Sequence, residues 1–150
     1  MYKLVITLLL LASYNLANAA DYEIKMLDFG KDKGMVFEPG FLSVLPRDTI
    51  KFIPTSSGHF VRSSQVPEGV SPWQSKMDEV FTVTVTKEGV YVYYCPPHLS
   101  MAMVGVIQVG EAQIESKDEL MDAMSSFNRR HLMNKKRLWT YIEQIEWTKK

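Results

Sequence analysis

From residue 22 to residue 109 the chain alternates apolar and polar side chains in short runs, and that rhythm restricts it to strands. The cleanest case is Val80-Phe81-Thr82-Val83-Thr84-Val85-Thr86, with threonine on the second face. Residues 22–27, 41–45 and 49–53 alternate more roughly, and residues 90–94 and 103–109 complete the set. A period of two sends successive side chains to opposite faces of a sheet, which is how half-buried strands read. Turn residues punctuate the runs at residues 30–34, Glu38-Pro39-Gly40, Pro46-Arg47-Asp48 and Lys87-Glu88-Gly89, where proline, glycine and aspartate favour reversal over extension. Many short strands with such punctuation predict an all-β, Greek-key β-sandwich of about eight strands. Residues 63–78 break the rhythm with Pro67, Gly69 and Pro72. They read as a long excursion that holds a short helical turn.

After Gly110 the texture changes, because residues 111–150 contain neither proline nor glycine and show helical spacing. Ser116-Lys117-Asp118-Glu119 fits a capping box ahead of Leu120, Met121, Met124 and Phe127 on one face. A second helix is expected to carry Leu132, Trp139, Ile142 and Ile145 on its apolar stripe. Two such helices pack back on the sandwich. Arg129, Arg130, Lys135, Lys136 and Arg137 form a basic cluster that reads as a solvated face, with a docking surface for an acidic partner as the weaker reading. His131, among the arginines, is expected at the surface.

The N-terminus sets the compartment. Lys3, a short apolar run over residues 4–12 and Ala17-Asn18-Ala19 have the form of a cleavable export signal cut after Ala19. The run is shorter than the 18 or so apolar residues that a membrane span needs. The chain therefore divides into a signal at 1–19, a β-sandwich domain at 20–110 and a helical extension at 111–150. Lysine plus arginine and aspartate plus glutamate each number 17, so no bulk charge points to nucleic acid.

Export makes the single cysteine, Cys95, the next constraint, since an exposed thiol in an oxidising compartment is oxidised or cross-linked. It stands in Tyr94-Cys95-Pro96-Pro97-His98-Leu99-Ser100-Met101-Ala102-Met103, a loop between two strand candidates. A thiolate, an imidazole three residues on and a thioether eight residues on converge when such a loop closes on a point, and His59 offers a second imidazole. Two histidines, a cysteine and a weak axial methionine make a blue copper electron-transfer site. Zinc suits the set less well, because closed zinc sites use cysteine and histidine without methionine. Three other readings stay open: an ordinary buried cysteine, a copper delivery or sensing module with the same ligands, and a cysteine hydrolase. The last requires an Asn or Asp near the histidine, and neither neighbourhood in the sequence offers one.

With these residues the chain resembles the cupredoxins, and within them the pseudoazurin branch. The resemblance runs through residues 20–23, 31–39, Phe52-Ile53-Pro54-Thr55, Gly58-His59, Pro67-Glu68-Gly69, Ser75-Lys76 and residues 103–110, and is most specific in the loop from Cys95 to Met103. It implies a cupredoxin-like sandwich with two C-terminal α-helices and one type 1 copper ion on His59, Cys95, His98 and Met103, with Met101 not a ligand. It also implies a periplasmic one-electron carrier that catalyses no reaction, supplying a nitrogen-oxide reductase such as copper nitrite reductase from a cytochrome or similar donor. Such a carrier is expected to be a monomer that docks transiently, with no stable membrane insertion. An apolar electron-transfer patch around His98 is expected from Met35, Pro54, Pro97, Leu99 and Met101. Lys31, Lys33, Lys51, Arg62 and Lys76 are the expected steering cations.

Two positions depart from that branch, which places asparagine after the first histidine and threonine after the cysteine. Here they are Phe60 and Pro96. Prolines 96 and 97 have no N–H for the sulfur, so the potential is expected to differ from relatives, in the upward direction.

Overall fold

The computed structural model describes residues 19–114 and 116–147; the expected export signal lies almost wholly outside them. Among the described residues, eight strands form two four-stranded sheets. The first has the order β2-β1-β4-β6, from Lys33–Glu38, Asp21–Gly30, Thr49–Pro54 and Phe81–Thr84. The second has the order β3-β8-β7-β5, from Phe41–Val44, Val104–Val109, Gly89–Tyr94 and Arg62–Gln65. The contacts β1·β4 and β3·β8 are parallel, the rest antiparallel, as expected where the chain crosses between two sheets. Between β7 and β8 lies a short 3-10 helix, Pro96–Met101, and the chain continues into α1, Lys117–Asn128, and α2, Arg137–Ile142. No helix among the described residues is long and apolar enough to cross a membrane.

The core is two-layered, and the pleat of β7 and β8 divides it. Tyr91, Tyr93, Ile107 and Val109 face inward with Ile24, Met26, Ile50 and Phe52 of the other sheet. Val90, Val92, Tyr94, Val104 and Val106 face outward and pack under Leu120, Met124, Phe127, Leu138 and Ile142 of the helices. Both strands are buried on both faces, whereas alternation alone reads as half-buried. The apolar residues on their second face are the seat of the helical tail. Gly105 is part of this packing, because a Cβ there would run into the Tyr93 ring.

The expected N-cap is present: Ser116 Oγ accepts from the Glu119 N–H at 3.2 Å, and Leu120, Met124 and Phe127 face the core. Three expectations need correction. Residues 63–78 hold strand β5 and no helix; Ser63 Oγ bonds Trp73 N–H (2.9 Å) and Ser75 Oγ accepts from Val61 N–H (3.0 Å). The second helix is only Arg137–Ile142, with Ile142 buried, Ile145 buried just beyond it and Leu132 left outside and exposed. His131 is wholly buried, its Nδ1 2.9 Å from Asn128 Oδ1 and its ring edge-on to Phe127.

Burial, assisted by Arg130 and Arg137, pushes His131 down from 6.5 to about 4. The unfolded chain therefore takes up this proton at a higher pH than the folded one, and stability is lost as pH falls from about 6.5 toward 4. Between pH 7 and pH 4.5 the loss attributable to this ring is about 2 kcal/mol. Thermal unfolding of His131→Leu should show an acid loss smaller by that amount than the parent protein; equal losses would place the proton elsewhere.

Candidate metal centre

The register of β7 and β8 puts two of the expected donors side by side. Tyr94 pairs with Val104, and the ladder runs one step further, with Cys95 N–H donating to Met103 C=O at 2.9 Å. Cys95 lies on the inward face of Tyr91 and Tyr93, and Met103 on that of Ile107 and Val109, so both side chains enter the inner core; both are fully buried.

The loop between them folds on itself. His98 N–H donates to Cys95 C=O (3.1 Å), Ala102 N–H to Leu99 C=O (2.9 Å) and Met103 N–H to His98 C=O (3.2 Å). Ala102 closes it in the left-handed region at φ 58°, a conformation that a non-glycine residue holds only when its surroundings fix it.

His59 arrives from the opposite sheet, on the segment after β4. Thr55 and Ser56 N–H groups both donate to Met26 C=O of β1 (3.1 Å each). Gly58 takes φ 84°, the positive value that glycine adopts without strain. Asp78 then grips the turn, its Oδ1 accepting from Gly58 N–H at 2.6 Å and His59 N–H at 3.1 Å.

The result is a convergence of His59 Nδ1, Cys95 Sγ and His98 Nδ1, all within 4.8 Å of one another. The sulfur is 3.8 Å from His59 Nδ1 and 3.5 Å from His98 Nδ1. His59 and Cys95 are fully buried and His98 is half-buried. Burial raises the Cys95 thiol, while the N–H groups of Phe60 and His98 act on the sulfur in the opposite direction and Asp78 adds to the rise. Residues 96 and 97, both prolines, offer the sulfur no N–H. Burial, then the neighbouring His59, lowers His98, and Asp28 opposes them. The set fits copper on its chemistry: one soft sulfur, two imidazoles and a buried thioether one ladder step from that sulfur.

The fold also supplies what the sequence neighbourhood of the histidines lacks. Asp28, near the end of β1, places Oδ1 2.9 Å from His59 Nε2, while Cys95 Sγ lies 3.8 Å from Nδ1 of the same ring. A hydrolase is nonetheless excluded by access, since a thiol with no exposed surface cannot meet a substrate.

The expected patch is partly assembled. Pro97 is exposed and Pro54, Met35 and Met101 are half-buried. Leu99 is not part of it: it is 7% exposed and packs in the outer core beneath the helices, because the 3-10 turn directs it there. Leu132 (72% exposed) and Met133 (56%) come to this loop instead, their N–H groups both donating to Ser100 C=O.

All five expected steering cations are exposed. Lys51 is 3.6 Å from Glu23 and Lys76 is 3.7 Å from Glu79, so each brings its own countercharge. Lys31 and Lys33 instead line a groove of about 450 Å³ with Lys135 and Lys136 of the tail. The tail lysines read from sequence as a plain solvated face; only the fold shows that they join the other pair.

Residues 24–110 match the family model described as copper binding proteins of the plastocyanin/azurin family. The pseudoazurin of Paracoccus pantotrophus is 46% identical over 96 residues, covering 63% of this chain and 66% of its own. The solved pseudoazurin of Methylobacterium extorquens AM1 superposes with a TM-score of 0.69 at 34% identity, covering 84% of this chain and 99% of that one. That of Hyphomicrobium denitrificans gives 0.68 at 31%, covering 84% and 98%.

Proposed function

The chain belongs to the plastocyanin/azurin family of copper-binding proteins, and from that premise we propose that it is a periplasmic carrier of single electrons. Its copper is a type 1 ion held by His59, Cys95, His98 and Met103. The protein is not an enzyme. The observation that carries this reading is the convergence of three donor atoms from two sheets within 4.8 Å, inside the protein.

Copper, when bound, supplies the Cu(II)/Cu(I) couple. The chain supplies rigidity: the β7–β8 ladder holds Cys95 against Met103, and Asp78 holds the backbone of His59. Ligands anchored in this way have little freedom to rearrange when the charge changes. Burial excludes water from the sulfur, and the half-buried His98 ring is the donor closest to solvent. A delivery module needs donors that an acceptor can reach, and here His59, Cys95 and Met103 are enclosed.

Docking is assigned to the face around His98. Pro97, Met101, Leu132 and Met133 form its apolar part, a surface of the kind that suits brief association. Lys31, Lys33, Lys135 and Lys136 are its basic rim, and Arg62 stands on β5. The partner classes are an acidic reductase of nitrogen oxides as acceptor, copper nitrite reductase being the case to test, and a cytochrome or similar protein as donor. Residues 1–19 act as the export signal, 20–110 as the copper domain and 111–150 as its helical extension, and the carrier works as a monomer.

The test is stopped-flow oxidation of the Cu(I) protein by a copper nitrite reductase. The second-order rate should fall as salt rises. Lys33→Glu with Lys136→Glu should lower the low-salt rate about tenfold and leave the high-salt rate near that of the parent. Copper should stay bound through repeated cycles. A rate indifferent to both salt and charge would remove the steering face, and copper passing to a chelator during cycling would favour delivery.

A further inference from the structure

Two carboxylates touch His59, and they do different things. Asp78 bonds backbone N–H groups and so fixes where the residue sits. Asp28 bonds the ring. The contact is built: Asp28 N–H donates to Ser56 Oγ at 3.1 Å, on the segment that Met26 C=O also ties to β1. Strand β1 and the His59 segment are therefore stitched together beside the ring, and the carboxylate does not reach it by chance of rotamer.

The chemistry follows from the inventory of the imidazole. A carboxylate oxygen only accepts, so at 2.9 Å from Nε2 it requires the proton on Nε2. That leaves the lone pair of Nδ1, the atom facing the Cys95 sulfur. A metal held at Nδ1 would withdraw density from the ring and make the Nε2–H a stronger donor to the carboxylate. Such outer partners fix the tautomer and raise the basicity of the ligand. A negative charge one ring away from the metal also stabilises Cu(II) over Cu(I). The side chain of Asp28 is 49% exposed, so water screens part of this effect through space, but not the part transmitted through the hydrogen-bonded ring.

Accepting His59 as a copper ligand, we infer that Asp28 is a positioning and charge-setting residue of the metal centre, fixing the His59 tautomer and holding the reduction potential down. Its effect opposes the upward shift expected from Phe60 and Pro96, so the measured potential is a balance of the two.

Asp28→Asn tests the charge, since the amide keeps an acceptor oxygen in the same place. Asp21→Asn is its control: it makes the same change in net charge on the same strand, seven residues and about 23 Å away. In spectroelectrochemical titration, Asp28→Asn should shift the ratio of reduced to oxidised protein about tenfold toward reduced at a fixed potential, equivalent to about 59 mV for one electron. Asp21→Asn should leave it unchanged. Equal behaviour of the two variants, with the blue band intact, overturns the inference and leaves the ligand assignment standing. A blue band that survives His59→Gly removes the ligand assignment itself. Should Asp28→Asn not fold, nitrogen-15 NMR of the metal-free parent protein at pH 9 decides the matter: Nε2–H is expected for His59, and Nδ1–H with a bare Nε2 overturns the inference.

Discussion

Replacing Cys95 by serine should turn the copper-loaded protein from intensely blue to colourless, and weaken Cu(II) binding at least 100-fold. The colour of such a site comes from charge transfer between thiolate sulfur and copper, and no other side chain here supplies it. Serine offers a hard, neutral oxygen where a soft thiolate stood. A fold defect cannot imitate the result. Cys95 is fully buried, so the substitution trades sulfur for a hydroxyl at a cost of about 1–3 kcal/mol, which leaves most of a domain's stability in hand. Circular dichroism should therefore show the sheets intact while the visible and EPR spectra lose the type 1 signature. A blue band at one equivalent of Cu(II) in Cys95→Ser would mean that the sulfur is not a ligand, and the assignment of the site would fall with it.

How much of this centre was legible beforehand depends on how each residue is positioned. Cys95, His98 and Met103 sit on one short loop between two strongly patterned strands, so their convergence was readable from spacing and turn chemistry. His59 is offered by the sequence as the second imidazole, but its place beside Cys95 follows from the family resemblance rather than from spacing, because it comes from the other sheet. Asp28 was not readable at all: it lies 31 residues from His59, and nothing in its surroundings marks it as a partner. The strands show the same division. Six of the eight strands are read from their alternation, whereas β2, Lys33–Glu38, begins inside the expected turn at 30–34 and β5, Arg62-Ser63-Ser64-Gln65, is a polar edge strand whose membership rests on backbone pairing with β7. His131 was misplaced for a related reason. The arginines beside it suggest solvent, but the chain between the helices dips onto the copper loop and takes the ring inside.

That dip is held by Arg137, and removing its guanidinium should cost more stability than any other single change in the tail. The residue is 7% exposed, and its guanidinium hydrogen bonds go to backbone carbonyls. Nη1 donates to Met35 C=O and Ala102 C=O at 2.8 Å each, with Met101 C=O at 3.4 Å. Nη2 donates to Asp32 C=O at 2.6 Å and Gly34 C=O at 3.1 Å. One planar group thus joins the β1–β2 turn to the loop that delivers Met103, at carbonyls beside backbone held in the left-handed region at Met35 (φ 50°) and Ala102 (φ 58°). Asn134 Nδ2 reinforces the same loop through Met101 C=O at 3.2 Å, and Tyr141 OH ties Asp32 from the other side at 2.7 Å. In Arg137→Met the stem still fills its channel, but the carbonyls lose their donors in a place water reaches poorly. With about 1.5–3 kcal/mol for a hydrogen bond to a charged group and losses that do not add fully, the expected cost is about 4 kcal/mol. That lowers Tm by roughly 10 °C or more in a domain of this size. Arg137→Lys should recover less than half, because an ammonium restores the charge but cannot span two segments as a fork. The copper spectrum separates this from loss of packing alone. Freed at Ala102, the loop should carry Met103 less uniformly, so the blue band should persist with altered intensity and a broadened EPR signal. A Tm within about 2 °C of the parent, or full recovery by lysine, would show that the tail rests on its apolar face and that the fork is dispensable.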